Sequence, residues 1–151
     1  MRHVLVLLAV LCVCDGVRFG QLCSGNVANS RRTSDIFGQG HYGARRQNRD
    51  HKGLDIVCQD GSTVYAPFDV TLHGKLTVYT DRTKDAINEG INLRGEGLCF
   101  KLFYVRSDRT SGTVRKGERI GTMLPMQSVY RGITSHVHVQ MCDRSDPTPY
   151  I

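Results

Sequence analysis

The strongest constraint on the fold is a short segment near the C-terminus, residues 135–141, in which histidines alternate with valines. In an extended strand His136, His138 and Gln140 fall on one face, and the valines fall on the other. Such a strand buries its valines and directs both imidazoles into a groove. We therefore predict a half-buried β-strand whose polar face carries a functional site.

A second polar pair lies about eighty residues earlier, in His51-Lys-Gly-Leu-Asp55. Residues four apart lie on one side of either a helix or a strand, so this imidazole and carboxylate can point the same way. If the two segments meet in one sheet, two imidazoles and a carboxylate come together with a spare histidine beside them. This donor set suits a tetrahedral Zn²⁺ that keeps one position for water, and it favours zinc over other divalent ions.

The pattern after residue 54 favours β-structure. Short β-branched and aromatic runs are separated by Gly and Pro, and 91–94 with 98–105 predict a hairpin around Gly-Glu-Gly. Residues 114–121 predict a short strand pair around a Lys-Gly turn. Since no segment keeps a 3.6-residue period, we predict a mainly β fold, an antiparallel sheet or sandwich core with long loops and little helix. An α+β domain with one helix near 125–130 is the alternative.

The N-terminus predicts a secretory signal. Met1-Arg2-His3 is followed by an apolar run to Leu11 that is too short to span a bilayer. We predict a signal peptide over 1–18, with cleavage between 16 and 20, and a single domain over 19–151. An uncleaved buried helix is the alternative. No second apolar run follows, so we expect a secreted, extracellular protein without a membrane span.

Cysteine usage agrees with an oxidising compartment. Six cysteines are present, of which Cys12 and Cys14 fall in the predicted signal. The four others are Cys23, Cys58, Cys99 and Cys142. An even number in a secreted chain predicts two disulfides, whose connectivity the sequence leaves open. The absence of a Cys-x-x-Cys spacing argues against a zinc site made of cysteines.

The net charge of +6 points to acidic partners. The arginines that carry this interpretation lie in the loop-rich N-terminal part: Arg31, Arg32, Arg45, Arg46 and Arg49. They predict contacts with acidic glycans, with ordinary solvated loop charges as the alternative. Nucleic acid is excluded as a partner, because neither a recognition helix nor an aromatic stacking strand accompanies them.

Four motifs in order resemble the lysostaphin-type zinc metallopeptidases, over roughly residues 50–139. They are His51-Lys-Gly-Leu-Asp-Ile, Gly61-Ser-Thr-Val-Tyr-Ala-Pro, Val114-Arg-Lys-Gly-Glu-Arg-Ile-Gly121 and His136-Val-His138. The resemblance implies the fold of that family and one Zn²⁺. It implies His51, Asp55 and His138 as the metal ligands, and His136 as the histidine beside the metal-bound water.

A closer resemblance, from Cys23 to the C-terminus, is to a family of vertebrate secreted chemotactic proteins with that fold. It is carried by residues 51–58, 61–68, 85–88, 102–104, 135–138 and 145–147. It implies a cytokine-like protein that binds cell-surface receptors on leukocytes or other cells, and disulfides Cys23–Cys58 and Cys99–Cys142. That family has a third, short-loop disulfide where this chain has Ser34 and Gln39, so we expect a freer loop here.

The same resemblance argues against catalysis. The peptidases use a second histidine in a Tyr-x-His segment, but the aligned residues 102–106 contain Tyr104 and no histidine. His73, the nearest earlier histidine, is expected at the surface. Loss of one transition-state donor costs about 10²–10³ in rate. We predict a catalytically silent zinc protein with no catalytic residues. The alternatives are an active zinc endopeptidase that cleaves glycine-rich or cell-wall peptides, and a metal-free interaction module.

Overall fold

The computed structural model describes residues 16–151, so the predicted signal peptide 1–18 lies outside the described residues except for its last three. The described chain contains short β-strands and three 3₁₀ segments, at Arg82–Ile87, Met126–Ser128 and Thr148–Tyr150. The strands are β1 (Ser34–Asp35), β2 (Gly38–Gln39), β3 (Leu54–Val57), β4 (Thr63–Tyr65), β5 (Val70–Leu76), β6 (Gly90–Gly95), β7 (Leu98–Phe103), β8 (Val105–Ser107), β9 (Ser111–Val114), β10 (Arg119–Met123) and β11 (His136–Met141). The predicted mainly β fold with little helix is confirmed.

Three antiparallel sheets make up the architecture. The largest has the order β3-β11-β7-β6-β5-β9, a second has the order β4-β10-β8, and β1 pairs with β2 in a separate hairpin. The predicted hairpin over 91–105 is β6–β7, closed by Glu96 and Gly97, both with positive φ. Two residues in this conformation match the right-handed twist of the flanking strands.

The strand pair predicted over residues 114–121 is wrong. Val114 ends β9, which pairs with β5 in the large sheet, whereas β10 pairs with β4 and β8. The Gly117 N–H donates to the carbonyl of Ala66, so the turn carries the chain from one sheet to another. A Lys-Gly turn between two apolar runs gives the same sequence pattern whether the two strands pair with each other or belong to different sheets.

The core lies beneath the large sheet and fixes the position of β11. Val137 and Val139 are fully buried in it, as alternation predicts. Phe19, Phe68 and Phe100 pack against one another with ring centroids 5.0 to 5.7 Å apart. With its apolar face anchored, β11 presents its histidines on the opposite face.

Two disulfides flank this central strand. Cys23 is joined to Cys58, directly after β3, and Cys99 in β7 is joined to Cys142, directly after β11. The Cys142 N–H also donates to the carbonyl of Cys99. Both disulfides therefore fix strands in the part of the sheet where β11 presents its polar face. No helix within residues 16–151 is long and apolar enough to cross a membrane.

Candidate metal centre

The structure brings the three predicted metal ligands together. Antiparallel pairing of β3 and β11 places His138 directly opposite Asp55, and the loop before β3 supplies His51. Asp55 Oδ1 lies 3.0 Å from His138 Nδ1 and 3.1 Å from His51 Nε2. The two imidazole nitrogens are 3.0 Å apart. All three residues are buried, and their donor atoms form a compact triangle.

The size of this triangle suits a tetrahedral zinc ion. Zinc lies about 2.0–2.1 Å from nitrogen and oxygen ligands, which puts neighbouring ligand atoms of a tetrahedron about 3.3 Å apart. The edges between His51, Asp55 and His138 differ from this value by a few tenths of an ångström. A small outward shift of the side chains would admit the ion.

Hydrogen bonds behind the triangle decide which imidazole nitrogens carry hydrogen. His51 Nδ1 lies 2.8 Å from the carbonyl oxygen of His41, and His138 Nε2 lies 3.0 Å from Gln140 Oε1. Both oxygens accept only, so these nitrogens donate, and a ring that carries one hydrogen presents its lone pair at His51 Nε2 or His138 Nδ1. Two lone pairs and the Asp55 oxygen then face one another without a proton between them. A divalent cation satisfies all three at once.

The electrostatics of the site keep Asp55 ionised. Arg32 Nη1 donates to the second oxygen, Oδ2, at 3.0 Å. The carboxylate therefore offers Oδ1 to a metal, while Oδ2 is held by the guanidinium.

A glycine makes the approach of His138 to the loop possible. A Cβ atom built on Gly53 would lie 2.5 Å from two atoms of the His138 ring and 2.5 Å from the carbonyl oxygen of Val139. Real Cβ atoms do not come so close to backbone oxygen. The glycine between His51 and Asp55 is thus required by the site, a requirement that no short-range pattern in the sequence indicates.

His136 lies beside the triangle and outside it. Its Nε2 is 3.4 Å from Asp55 Oδ2, and its Nδ1 lies 2.7 Å from the carbonyl oxygen of Thr134. Burial lowers the pKa of His136 and outweighs the attraction of Asp55, which favours the neutral ring. With Nδ1 donating to Thr134, the lone pair sits on Nε2, on the metal side.

The site opens into a cleft of about 1050 Å³. Tyrosines form one wall: Tyr104 Oη is 2.8 Å from Tyr79 Oη, and Tyr130 Oη donates to the latter at 3.4 Å. The Tyr104 ring meets His136 edge to face, with centroids 5.6 Å apart. Burial raises the pKa of Tyr104 to about 12, so its hydroxyl keeps its proton at neutral pH.

Positive charge surrounds this wall. Lys84 Nζ lies 4.6 Å from the centre of the Tyr79 ring and 5.5 Å from that of Tyr130. Further cationic side chains line the cleft: Arg32, Arg46, Arg49, Lys52, Lys101 and Arg144. The acidic residues lining it are Asp50 and Asp55. The cleft therefore combines a histidine–carboxylate centre with an aromatic wall and a basic rim.

Curated proteins of similar sequence decide the family. The chain is 47% identical over 133 residues to leukocyte cell-derived chemotaxin-2 of Mus musculus, covering 88% of this chain and 87% of the mouse protein. It is 46% identical over 130 residues to the Bos taurus protein of the same name, covering 86% and 85%. The chain belongs to the leukocyte cell-derived chemotaxin-2 family. The resemblance carried by the sequence motifs is thereby confirmed.

Two further comparisons give proteins with other names. Myeloid protein 1 of Gallus gallus is 46% identical over 130 residues, covering 84% of this chain and 39% of the chicken protein. The solved structure of Helicobacter pylori Csd3 in a hexagonal crystal gives a TM-score of 0.57 at 17% identity. The match covers 90% of this chain, and this chain spans about a third of the length of Csd3. That likeness shows a shared fold alone. No family model matches the chain.

One predicted contact of this chemotaxin-2 family member is wrong. The sequence predicts that Arg32 contacts acidic glycans, but its side chain is 2% exposed and pairs with Asp35 and Asp55. Arg31, its neighbour in sequence, is exposed. A run of two arginines does not show which one turns inward. The partner that draws Arg32 in, Asp55, lies 23 residues further along the chain.

Proposed function

We propose that the chain is a secreted, zinc-binding signalling protein that acts through cell-surface receptors and does not cleave peptides. In this proposal residues 1–18 are a signal peptide and 19–151 form the single domain of the secreted protein. Phe19 supports a domain that includes residue 19, because it is buried in the core and its N–H donates to the carbonyl of Tyr150. The two disulfides and the chemotaxin-2 relatives are consistent with an extracellular protein.

The donor triangle is the observation that carries the metal assignment. His51, Asp55 and His138 would hold one Zn²⁺, and lone pairs facing each other at 3.0–3.1 Å favour its presence. The ligands come from β11, β3 and the preceding loop. Because an unfolded chain does not preform such a site, metal binding would add directly to the stability of the fold.

The cleft supports the absence of efficient hydrolysis. Bound zinc supplies Lewis acidity and a bound water of lowered pKa. Beyond the two ligand imidazoles, His136 alone contributes a histidine to the described lining of the cleft, and its Nε2 can accept one proton. Tyr104 is part of the tyrosine cluster, and it lies in the segment that the resemblance aligns with the peptidases' second histidine. A tyrosine hydroxyl that stays protonated and bonded to Tyr79 cannot take over the role of an imidazolium.

The partners follow from the surface and the family. The chemotaxin-2 names of the relatives support a receptor on leukocytes or other cells. Exposed Arg31, Arg45 and Arg49 support contacts with acidic glycans, and the half-buried Arg46 lines the cleft beside them. Arg32 is left out, since its guanidinium is taken by two carboxylates.

The decisive experiment measures metal content and peptidase activity on one sample of the secreted protein. We expect one zinc per chain by elemental analysis, and no new amine by mass spectrometry after incubation with a glycine-rich peptide. His138→Ala is the control and should contain no zinc. A wild-type protein without metal would refute the proposal and leave a metal-free interaction module.

An active endopeptidase is the second candidate, favoured by one observation. The lone pair of His136 Nε2 lies on the metal side and is available as a general base. Hydrolysis of a glycine-rich or cell-wall peptide that disappears in His136→Ala, with zinc content unchanged, would establish it. The tyrosine cluster weighs against this candidate, because no imidazole besides His136 and the two proposed ligands lines the described cleft.

A further inference from the structure

The hairpin β1–β2 is attached to the carboxylate ligand on both sides of its backbone. The Arg32 N–H donates to the carbonyl of Asp55, and the Asp55 N–H donates to the carbonyl of Gly40, both at 2.9 Å. Arg32 lies two residues before β1, and Gly40 directly follows β2. A shift of Asp55 therefore moves both ends of the hairpin together.

Side chains make a second connection between the hairpin and Asp55. Arg32 spans two carboxylates, with Nη1 3.0 Å from Asp55 Oδ2 and with Nε and Nη2 2.8 and 2.6 Å from the oxygens of Asp35. The Arg32 side chain is 2% exposed, and those of Asp35 and Asp55 are 9% and 1% exposed. A bidentate guanidinium pair of this kind is directional and is little screened by solvent.

Asp35 also accepts hydrogen bonds from two other segments. Its oxygens accept the N–H of Phe37 in the hairpin turn and the N–H of Thr134 before β11, both at 2.8 Å. The carbonyl of Thr134 in turn accepts from His136 Nδ1. One buried carboxylate thus joins the hairpin turn, the guanidinium that holds a metal ligand, and the residue that orients His136.

The hairpin lacks any covalent closure of its own. Ser34 and Gln39 are Cα partners across it, and these are the positions where the sequence resemblance places a disulfide that this chain lacks. We expected a freer loop for that reason. The bonds to Asp35 and to the Asp55 backbone hold the hairpin at its turn and its two ends. Arg46 Nη2 adds a hydrogen bond to the carbonyl of Gln39 in β2.

We propose that Arg32 and Asp35 are positioning residues that couple the metal centre to the β1–β2 hairpin, so that metal loading orders the hairpin. This inference rests on the proposed zinc site. A metal on Oδ1 fixes the Asp55 carboxylate, the fixed Oδ2 orients the Arg32 guanidinium, and the guanidinium holds Asp35 and the turn. By reciprocity, an ordered hairpin preorganises Asp55 and strengthens metal binding.

The hairpin carries exposed apolar residues whose position would depend on metal binding. Ile36 and Phe37 at its turn are two of the three large hydrophobic residues exposed in the described chain, 82% and 39% accessible. The Phe37 ring packs against Tyr130 at the cleft, with centroids 5.3 Å apart. Metal occupancy would set how this apolar pair is presented beside the cleft.

Amide hydrogen exchange by NMR on the secreted chain tests the coupling directly. The informative amides are those of Phe37, Gly40 and Thr134, which bond to Asp35 or Thr33. We expect their protection to fall at least about tenfold when a chelator removes zinc, because they open locally without global unfolding. The amide of Leu98, in the β6–β7 hairpin of the large sheet, is the internal control and should change less.

Substitutions separate positioning from simple stability. Asp35→Asn breaks the charge pair and should weaken zinc binding by roughly 10-fold, in the range for residues that orient metal ligands. Its Phe37 and Thr134 amides should exchange fast with or without zinc. Asp108→Asn is the matched control, since it breaks an aspartate–Arg119 pair on the exposed surface. It should change neither zinc affinity nor hairpin exchange.

Two further variants keep the test decisive if Asp35→Asn folds poorly. Oxidised Ser34→Cys/Gln39→Cys restores a covalent closure, so hairpin protection should no longer depend on zinc. Arg32→Lys keeps the charge but cannot bridge both carboxylates, so the visible spectrum of the Co²⁺-loaded protein should shift while the fold persists. A change in ligand geometry moves that spectrum, whereas a purely structural role for Arg32 leaves it unchanged.

The outcomes distinguish this inference from the proposed function. If zinc changes no signal anywhere, including Gly53 and His138, then the zinc site itself is refuted. If zinc shifts the signals of Gly53 and His138 but leaves the exchange of Phe37, Gly40 and Thr134 unchanged, then the coupling alone is overturned. Equal zinc affinity of Asp35→Asn and Asp108→Asn would also overturn it.

Discussion

Asp55 and His138 face each other across the β3–β11 pair, and the carboxylate Oδ1 lies 3.0 Å from the imidazole Nδ1. Their register is fixed by the buried valines of β11, because a slip of one residue would turn the histidines into the core. The metal centre is thus a consequence of strand pairing. It requires no special backbone conformation at either residue.

Removal of His138 should abolish metal binding and metal-dependent stability. A ligand that binds only the folded state at 1,000 times its Kd adds about 4 kcal/mol to the free energy of unfolding. We expect the wild-type Tm to fall on addition of a chelator, and the Tm of His138→Ala to be low and insensitive to it. Differential scanning fluorimetry measures this. His73→Ala, an exposed histidine on β5, should behave as the wild type.

Gly53→Ala should damage the same site by crowding rather than by loss of a ligand. The added methyl would overlap the His138 ring and the carbonyl of Val139. Overpacking of this kind costs about 1–3 kcal/mol, and we expect weaker zinc binding in a chelator competition assay. Lys52→Ala, at the exposed neighbour, is the control. A Gly53→Ala protein that binds zinc as tightly as the wild type would show that the loop can move away.

The sequence could predict the elements that follow from short-range patterns. Alternation of histidine and valine predicts the faces of β11, and Gly-Glu-Gly predicts the β6–β7 hairpin, because both depend on neighbouring residues. The structure also brings together His51, Asp55 and His138 as the motifs imply. The strand faces and the turn are encoded by neighbouring residues, whereas the grouping of the three ligands follows from the resemblance of the motifs.

The parts that were missed depend on contacts between distant segments. Arg32 turns inward because Asp35 and Asp55 lie on both sides of it, and nothing in Arg31-Arg32 reveals this. The chain from β9 to β10 changes sheets because Gly117 bonds to Ala66. The need for Gly53 arises from a ring 85 positions away in sequence, His138.

Acid should destabilise the protein partly through Asp35. Its hydrogen bonds with Arg32 are the largest effect and hold the pKa of this carboxyl below its ordinary value of 3.8, against the opposing effect of burial. A lowered pKa in the folded state gives stability that is complete above about pH 4 and is lost as the pH falls toward the folded pKa. Urea unfolding of the chelated protein between pH 5 and about pH 2 should therefore show a smaller loss for Asp35→Asn than for the wild type. An equal loss of unfolding free energy in the two proteins would contradict this.

Removal of either disulfide should cost a similar amount of stability. The closed loops span 35 residues in Cys23–Cys58 and 43 in Cys99–Cys142, so their loop-closure terms differ by only about 0.2 kcal/mol. Replacing each pair by serine should lower the free energy of unfolding by about 2–5 kcal/mol in denaturant titrations. A much larger loss for one pair would mean that this bond also maintains the native arrangement of β3, β7 and β11.

The exposed arginines of the N-terminal loops should control retention on a sulfated polysaccharide resin. Arg45 and Arg49 are exposed on the same loop, and salt screens such charges at physiological ionic strength. We expect Arg45→Ala/Arg49→Ala to elute at clearly lower salt than the wild type. Arg94→Ala/Arg115→Ala removes the same charge from exposed positions outside that loop and is the matched control. Equal shifts for both double variants would mean that net charge, rather than a glycan contact on this loop, sets the affinity.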